Sequence, residues 1–309
     1  MKTIKLKVAA AFLILAIALP FSAEAVSEVT LRVKLDKGAE VKYSSSTEQV
    51  ITQTIGAMKQ VINQNQVFEY TIGVTSKLPN GNMQAKITFT RIAIDMETQG
   101  MSMKFDSEKK DDGPVANPQF LVFGALINKS VSATITPLGN IVEVTGIEEL
   151  RKQMLSETAG QAQIEQTIGA AISQDAIKQM FGGAFISYPE KGIKAKSTWT
   201  DNQTIENQFT LNIINSYSVL SMDANEVKLS LSATMSTIPG NKSNMMGMQV
   251  TYNLFGTTSG NLTINPKTGM ISESFMEQSI NGNIAGDMMG QKMDIPMVIT
   301  SKTTVKQVK

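Results

Sequence analysis

The chain has 309 residues, with 28 basic and 27 acidic side chains and neither cysteine nor histidine. Without those two residue types it cannot form a disulfide framework, a Cys/His zinc site or a histidine-based catalytic triad. The balanced charge argues against a nucleic-acid partner, which would require a basic face.

The first 25 residues have the composition of a signal peptide. Lys2, Lys5 and Lys7 precede a wholly apolar run over residues 8–19, and residues 23–25 offer a small-x-small cleavage site. The apolar run is shorter than the roughly 20 residues that cross a bilayer as a helix, and a retained anchor is the alternative. We predict cleavage at this site, no transmembrane span in the mature chain, and a periplasmic or secreted location. With no cysteine, the chain has no lipobox for lipid attachment.

We expect residues 26–309 to form a single β-rich domain. Alternation of apolar and polar residues indicates strands with one buried and one solvated face, as in antiparallel sheets. The alternation is clearest over residues 227–235 and recurs over residues 31–35, 68–74, 131–135 and 209–213.

One predicted strand changes phase. Apolar residues fall on odd numbers from Met83 to Phe89, and then on even numbers at Ile92, Ile94 and Met96. This shift predicts a β-bulge near Thr90-Arg91, which would bend the strand. We therefore expect a mainly β (α+β) fold built on a strongly curved antiparallel sheet, or half-barrel.

Helical patterns are confined to the middle of the chain. We predict a short helix opening at Pro118, and a helical insert over 146–182 between a first half (26–145) and a second half (183–309). A Thr145–Glu148 capping box would start the insert, Ser173 would cap its last helix, and Gly182-Gly183 would end it. Apolar residues at helical spacing in these segments are Phe120, Phe123, Leu126, Leu150, Met154, Ile164, Ile168 and Ile172.

The two β-rich halves share short segments. Residues 37–42 resemble residues 191–196, and the turn over residues 137–143 resembles the turn over residues 266–273. Duplication and independent reuse of the same turn residues explain this similarity about equally well.

Two short motifs match signatures of penicillin-binding enzymes, Ser107 to Lys110 and Lys267-Thr268-Gly269. That chemistry needs Ser107 at the start of a buried helix, whereas residues 106–114 are charged and turn-rich. The sequence also lacks the spacing of a metal site or a phosphate-binding loop. We therefore expect no enzymatic activity, no cofactor and no metal.

Methionine is frequent, with 19 residues, ten of them close to glycine-rich turns. These thioethers could bind Cu(I), form an adaptable surface for an apolar ligand or partner, or fill gaps beneath hairpin ends; we favour the last interpretation. The single tryptophan, Trp199, is expected to plug the core or a strand end, with a pocket anchor as the alternative.

Several segments together carry a resemblance to a known family over most of residues 30–300. They are Leu35-Asp36-Lys37-Gly38 before Tyr43, Gln53-Thr54-Ile55-Gly56, Asp95-Met96 through Phe105-Asp106-Ser107, Gly139-Asn140-Ile141 before Val144-Thr145-Gly146, and Tyr188-Pro189 before Ser197-Thr198-Trp199. In these segments the chain resembles an uncharacterised secreted and periplasmic family, a domain of unknown function common in the Bacteroidota. That family is distantly similar to LolA-like lipoprotein carriers. The resemblance implies a half-barrel around an apolar cavity, with the helical segment packed in its concave face.

Our hypothesis is a periplasmic, non-enzymatic binding or carrier protein for a hydrophobic, lipid-like ligand, with the helices as plug or lid. The alternative is a structural or protein-interaction component of the cell envelope, with an envelope protein as partner. The candidate ligand-binding residues are Phe120, Phe123, Leu150, Met154, Ile164, Ile168 and Trp199.

Overall fold

A single antiparallel sheet forms the frame of the molecule. A computed structural model describes residues 28–109, 118–157, 168, 172–206, 210–240, 242–245, 248–288 and 291–308. Within these residues the sheet has 13 strands: β1 (Glu40–Ile55), β2 (Met58–Lys77), β3 (Met83–Thr98), β4 (Met101–Asp106), β5 (Ser130–Ile135), β6 (Ile141–Thr145), β7 (Thr198–Glu206), β8 (Thr210–Met222), β9 (Val227–Thr237), β10 (Lys242–Met245), β11 (Met248–Asn265), β12 (Met270–Met288) and β13 (Gln291–Val308).

The sheet is open rather than closed. Its order is β6-β5-β3-β2-β1-β13-β12-β11-β9-β8-β7, with β4 paired to β3 and β10 paired to β11. Strand β1 pairs with β13, so the first and last long strands of the chain lie side by side at the middle of the sheet. The prediction of a mainly β fold on an antiparallel sheet is confirmed.

The described helices pack against one face of the sheet. They are α1 (Pro118–Leu126), α2 (Ile147–Glu157) and α3 (Gln174–Phe181), and α3 continues into a 3-10 turn at Gly182–Ala184. Helix α1 contacts β3, α2 contacts β5, α3 contacts β6, and the 3-10 turn contacts β12. We call the covered face the inner face and the opposite one the outer face. Among the described residues, no helix is long and apolar enough to cross a bilayer.

Two predicted helix ends are confirmed and one is wrong. Helix α1 begins at Pro118, and the Ala176 amide donates to Ser173 Oγ at 3.1 Å, which caps α3 as expected. The Thr145–Glu148 capping box does not form, because β6 runs through Thr145 and α2 starts only at Ile147. The Gly146 carbonyl accepts the first helical hydrogen bond from Leu150 at 3.0 Å, and Glu148 pairs with Arg151.

Residues 31–35 alternate as predicted but do not form a strand. Leu31, Val33 and Leu35 are buried, whereas the backbone bonds of this segment go to two turns. The Val33 amide donates to Pro137 O at 2.8 Å, and the Lys34 amide donates to Thr268 O at 2.7 Å. The segment is therefore held between the two turns whose sequences resemble each other.

The β-bulge lies where the sequence predicts it. Glu69 pairs with Arg91 and Tyr70 pairs with Phe89, so Thr90 is the extra residue in β3. Because of this insertion, Phe89 and Ile92 both point to the inner face and both are buried. The phase change in the sequence therefore keeps one face of β3 apolar along its length.

Phe181 anchors the helical segment to the sheet. Its ring centroid lies 5.5 Å from the rings of both Tyr70 and Phe89, and all three side chains are fully buried. Tyr43 stacks on Tyr70 at 5.7 Å and donates to Ile271 O at 2.6 Å. This aromatic group lies in the main core, which the helices and the adjoining parts of the long strands share.

Charge is distributed unequally between the two faces of the sheet. Paired residues in an antiparallel ladder share a face, so the registers assign each position. The described inner-face positions of β1–β3, β8, β9 and β11–β13 carry one charged residue, Lys77 at the end of β2 opposite Met83, and the edge strand β7 contributes Asp201. On the outer face, cross-strand ion pairs join Lys302 to Glu277 at 3.3 Å and Lys306 to Glu273 at 2.9 Å.

Replacing Gly269 by alanine tests the clamp on residues 31–34. Gly269 has φ +65°, and an added Cβ would collide with the Arg32 carbonyl. Gly100 has φ +79° with nothing near its missing Cβ, so it is the matched control. We expect Gly100→Ala to lower the free energy of unfolding by about 1–2 kcal/mol and Gly269→Ala by about 3 kcal/mol or more. Urea denaturation measures both, and equal losses would contradict the clamp.

The buried tyrosines predict alkaline instability. Burial raises the pKa of Tyr43, Tyr70, Tyr188 and Tyr217. Unfolded tyrosines ionise near pH ~10, so above that pH the unfolded state releases protons that the native state keeps. The free energy of unfolding should therefore fall as pH rises, by up to about 1.4 kcal/mol per pH unit for each tyrosine. Tyrosinate absorbance should rise together with loss of structure; ionisation near pH ~10 in an intact fold would contradict this.

Candidate functional site

A cavity of about 470 Å³ lies between the helical segment and the second half of the inner face. This volume is in the range of small-molecule sites, about 300–1,000 Å³. On the helical side it is lined by the turn before β6 and its first residue (Gly139, Asn140, Ile141), by α3 (Asp175, Lys178) and by the segment after α3 (Gly182, Gly183, Phe185, Ile186, Ser187). On the sheet side it is lined by β7 (Gln203, Thr204, Ile205), β8 (Asn215, Tyr217), β9 (Leu231), β11 (Leu262) and β12 (Ile271, Ser274, Met276).

The sheet side of the cavity is largely apolar. Leu231, Leu262 and Ile271 are buried inner-face residues, and Met276 is half-buried beside them. Leu262 pairs with Leu229 and Ser274, while Met276 lies across Gly260 from Leu231. The strand register therefore brings side chains from three strands together on one wall. Such a wall favours a ligand that exchanges water for apolar contact.

A few polar groups are set among these apolar side chains. Ser274 is 1% exposed, and its Oγ makes no hydrogen bond with the described residues. Asn215 is 8% exposed and projects from β8 between Ile213 and Tyr217. On the helical side Lys178 lies 4.0 Å from Asp175, one turn earlier in α3. Apolar walls with a few placed polar groups are characteristic of ligand sites.

Trp199 packs beside two residues of the cavity wall. Its ring stacks on Tyr217 at 5.0 Å, and its Nε1 donates to Ser187 O at 2.8 Å. Both Tyr217 and Ser187 line the cavity. Burial raises the pKa of Tyr217, and the charge of Asp201 raises it further, so this hydroxyl stays neutral at ordinary pH.

Of the seven predicted ligand-binding residues, the five whose side chains the structure describes are not among the residues that line this cavity. Leu150, Met154 and Ile168 are buried in the main core, and the Ile172 amide donates to Ile168 O at 2.8 Å. Phe123 is half-buried and meets the Phe68 ring edge-on at 6.4 Å. The Phe120 side chain and Ile164 lie outside the described residues. Trp199 contacts two of the lining residues, Tyr217 and Ser187.

Sequence patterns missed the polar lining residues. A signal was present for Asn215, because it occupies an inward position between two apolar residues of an alternating strand. No such signal marks Ser274. The alternation pattern predicts that the apolar Phe275 faces inward and Ser274 outward, whereas the structure has Phe275 outward and Ser274 inward. Lys178 was missed because a basic residue on a helix normally marks a solvated face.

The serine of the enzyme-like motif occupies a strand-end turn. Ser107 follows β4, and its Oγ accepts a hydrogen bond from the Ile92 amide at 3.0 Å. No described helix begins there. Lys110, the second residue that this chemistry would need, lies outside the described residues.

Two methionines next to turns are strongly exposed. Met58 is 67% exposed at the β1–β2 turn, and Met101 is 62% exposed at the β3–β4 turn. The gap-filling interpretation is therefore wrong for these two. Both turns lie at the same end of the sheet, because β1 and β3 are parallel to each other across β2. The side chains of Met245, Met246, Met248, Met288 and Met289 lie outside the described residues.

The inner face continues past the cavity as a half-buried surface. Ile62, Ile51, Ile299 and Ile280 are successive cross-strand neighbours on β2, β1, β13 and β12. With Gln53, Gln60 and Met297 they form what we call the distal inner face, on the side of the β1–β2 turn. Gln49, Gln64, Ser301 and Gln278 form an uncharged polar row between this surface and the main core.

The comparison with known proteins finds a similar fold in a solved structure. No curated protein matches the sequence. A structure described as "lipid-protein interactions in lipovitellin" aligns with a TM-score of 0.52 and 12% identity, covering 89% of this chain and 26% of that one. The chain thus spans about a quarter of the length of this neighbour, and at such identity the likeness concerns the fold alone.

Two outer membrane channels align more weakly. OccK5 (OpdH) of Pseudomonas aeruginosa has a TM-score of 0.23 at 6% identity, covering 87% of this chain and 98% of that one. The COG4313 channel of Pseudomonas putida F1 has a TM-score of 0.22 at 5% identity, with 90% and 98% covered. These alignments carry no argument about this protein.

A family model matches the sequence directly. It covers residues 80–271, more than half of the chain, and describes a family of unknown function, DUF6263. The matched region runs from the start of β3 to the start of β12 and includes the helical segment. The chain therefore belongs to the DUF6263 family.

Proposed function

We propose that this protein binds a hydrophobic, lipid-like ligand in the cavity between α3 and the inner face, and that it acts without catalysis. The observation that carries the proposal is the 470 Å³ space walled by Leu231, Leu262, Ile271 and Met276. Transfer of apolar ligand surface from water into such a space is favourable by about 25 cal/mol per Å². The signal-peptide pattern of residues 1–25 supports a periplasmic or extracellular location for this activity.

Two likenesses support a lipid-like ligand. The lipovitellin structure is described in terms of lipid–protein interactions, and the aligned part of that protein shares this fold at a TM-score of 0.52. The uncharacterised family that the sequence resembles is in turn distantly similar to the LolA-like half-barrels, in which helices cover an apolar cavity. Since one fold hosts many functions, the cavity and its lining carry the argument, and the likenesses only agree with it.

Filling the cavity should abolish binding. Met276→Trp places a larger side chain into the space, whereas Phe275→Trp, one residue away on the outer face, is the matched control. We expect Met276→Trp to weaken the binding of diphenylhexatriene, an apolar fluorescent probe, at least tenfold, and Phe275→Trp to leave it unchanged. Fluorescence titration of purified protein measures both. Equal affinity in the two variants would contradict the proposed site.

A second candidate function is docking to a protein of the cell envelope. Met58, Met101 and Ile55 are exposed apolar residues at the same end of the sheet, and they favour this alternative. Exposed apolar groups of this kind often mark interaction sites.

Acidic substitutions test the docking alternative. Met58→Asp combined with Met101→Asp should abolish stoichiometric cross-linking to a partner in envelope extracts. Val142→Asp, an exposed apolar position on β6 away from these turns, is the control and should have no effect. If no partner is captured by the unaltered protein, or if capture survives the double change, docking through these turns is wrong.

A further inference from the structure

The buried hydroxyl of Ser274 is the starting point. Burying a hydroxyl without a hydrogen-bond partner is unfavourable, so such groups are uncommon unless a ligand or water completes them. Tyr70, Thr90 and Ser274 have such atoms among the described residues, and of these three Ser274 lines the cavity. The atom is screened from solvent in the empty protein, so a small rotation of the Ser274 side chain would bring its Oγ to donate one hydrogen bond to an acceptor in the cavity.

A second polar group lies on the same sheet wall. Asn215 lines the cavity from β8 and is 8% exposed. Ser274 and Asn215 are both uncharged, so each can bind an oxygen acceptor without requiring a charged ligand. The wall can therefore receive a polar group between apolar side chains.

The charges around the cavity disfavour an anion. Lys178 is the cation of the lining, and Asp175 lies 4.0 Å from it. Asp201 lies opposite Asn215 in the β7–β8 ladder, so a further negative charge lies next to this polar wall. Because Lys178 is paired with Asp175, the described lining offers no unpaired cation to hold a carboxylate or phosphate, whereas a neutral carbonyl needs none.

The surface beyond the cavity fits a hydrocarbon chain. On β12 the inner-face positions after Ser274 are Met276, Gln278 and Ile280, a span of about 20 Å along the strand. Ile280 begins the isoleucine row of the distal inner face, where the described positions carry no charge. A chain leaving the cavity along this path would not displace water from any charged group.

We propose that the ligand is a neutral acyl ester, bound with its carbonyl oxygen accepting a hydrogen bond from Ser274 Oγ and its chain lying on the distal inner face. This inference rests on the proposed function, because it assigns the chemistry and orientation of the molecule that fills the same cavity. This inference goes beyond the proposed function in two ways. It excludes free fatty acids as preferred ligands, and it assigns recognition of the carbonyl to the Ser274 hydroxyl.

The experiment compares three fluorescent probes at pH ~8, where a fatty acid is ionised. They are the methyl ester of cis-parinaric acid, the free acid, and diphenylhexatriene, which has no hydrogen-bond acceptor. We expect the ester to bind more tightly than the acid. Ser274→Ala should weaken the ester about fivefold and leave diphenylhexatriene unchanged, since one net hydrogen bond is lost. Ser274→Thr keeps the hydroxyl and should retain the ester preference.

Controls separate this inference from the proposed function. Ser232→Ala, on the outer face of β9, should leave all three affinities unchanged. Without ligand, Ser274→Ala should melt at the same temperature as the unaltered protein or higher, because an unpaired buried hydroxyl is removed. If diphenylhexatriene binds and responds to Met276→Trp but Ser274→Ala does not affect the ester, only the ester assignment is wrong. Tighter binding of the acid also overturns it, and failure of all three probes to bind overturns the proposed function as well.

Discussion

The pairing of β1 with β13 is the constraint on which the rest of the structure depends. Twelve residue pairs, from Lys42–Val308 to Gln53–Met297, join strands that are far apart in the sequence. This ladder turns two β-rich halves into one sheet and fixes which residues of both halves share a face. A slip of one residue would move every inner-face residue of one half to the outer face. The walls of the cavity and the uncharged distal inner face both require this register.

The register also explains how charge and apolar surface are separated. Outer-face ion pairs such as Lys302–Glu277 and Lys306–Glu273 sit directly across the β12–β13 ladder, where opposite charges stabilise a pairing. A slip of one residue would carry these charges onto the apolar face, and a slip of two would separate each lysine from its glutamate. Each exposed ion pair stabilises the sheet only modestly. A wrong register would cost more than this, so these residues act mainly to select the register.

Local chemistry made part of this fold predictable. The alternation in β9, the extra residue Thr90 and the Ser173 cap each depend on a few neighbouring residues, and all three are confirmed. The candidate site could not be predicted in the same way, because its lining comes from β7, β8, β9, β11, β12 and the segment around α3. Leu150 and Met154 have the same apolar helical pattern whether they face a ligand or a core, and the structure places them in the core.

The alternation of amide and isoleucine rows shows how an open sheet face could remain hydrated and still accept a hydrocarbon chain. Gln53 donates to Gln60 at 2.7 Å and Gln60 donates to Thr98 at 3.3 Å, so these amides satisfy one another across strands. On the other side of the isoleucine row, Gln278 donates to Thr258 at 3.3 Å. Partnered amides lose little when water leaves, whereas lysine or glutamate at these positions would carry a large desolvation penalty. Uncharged rows therefore keep this face hydrated without making its occupation by a hydrocarbon chain unfavourable.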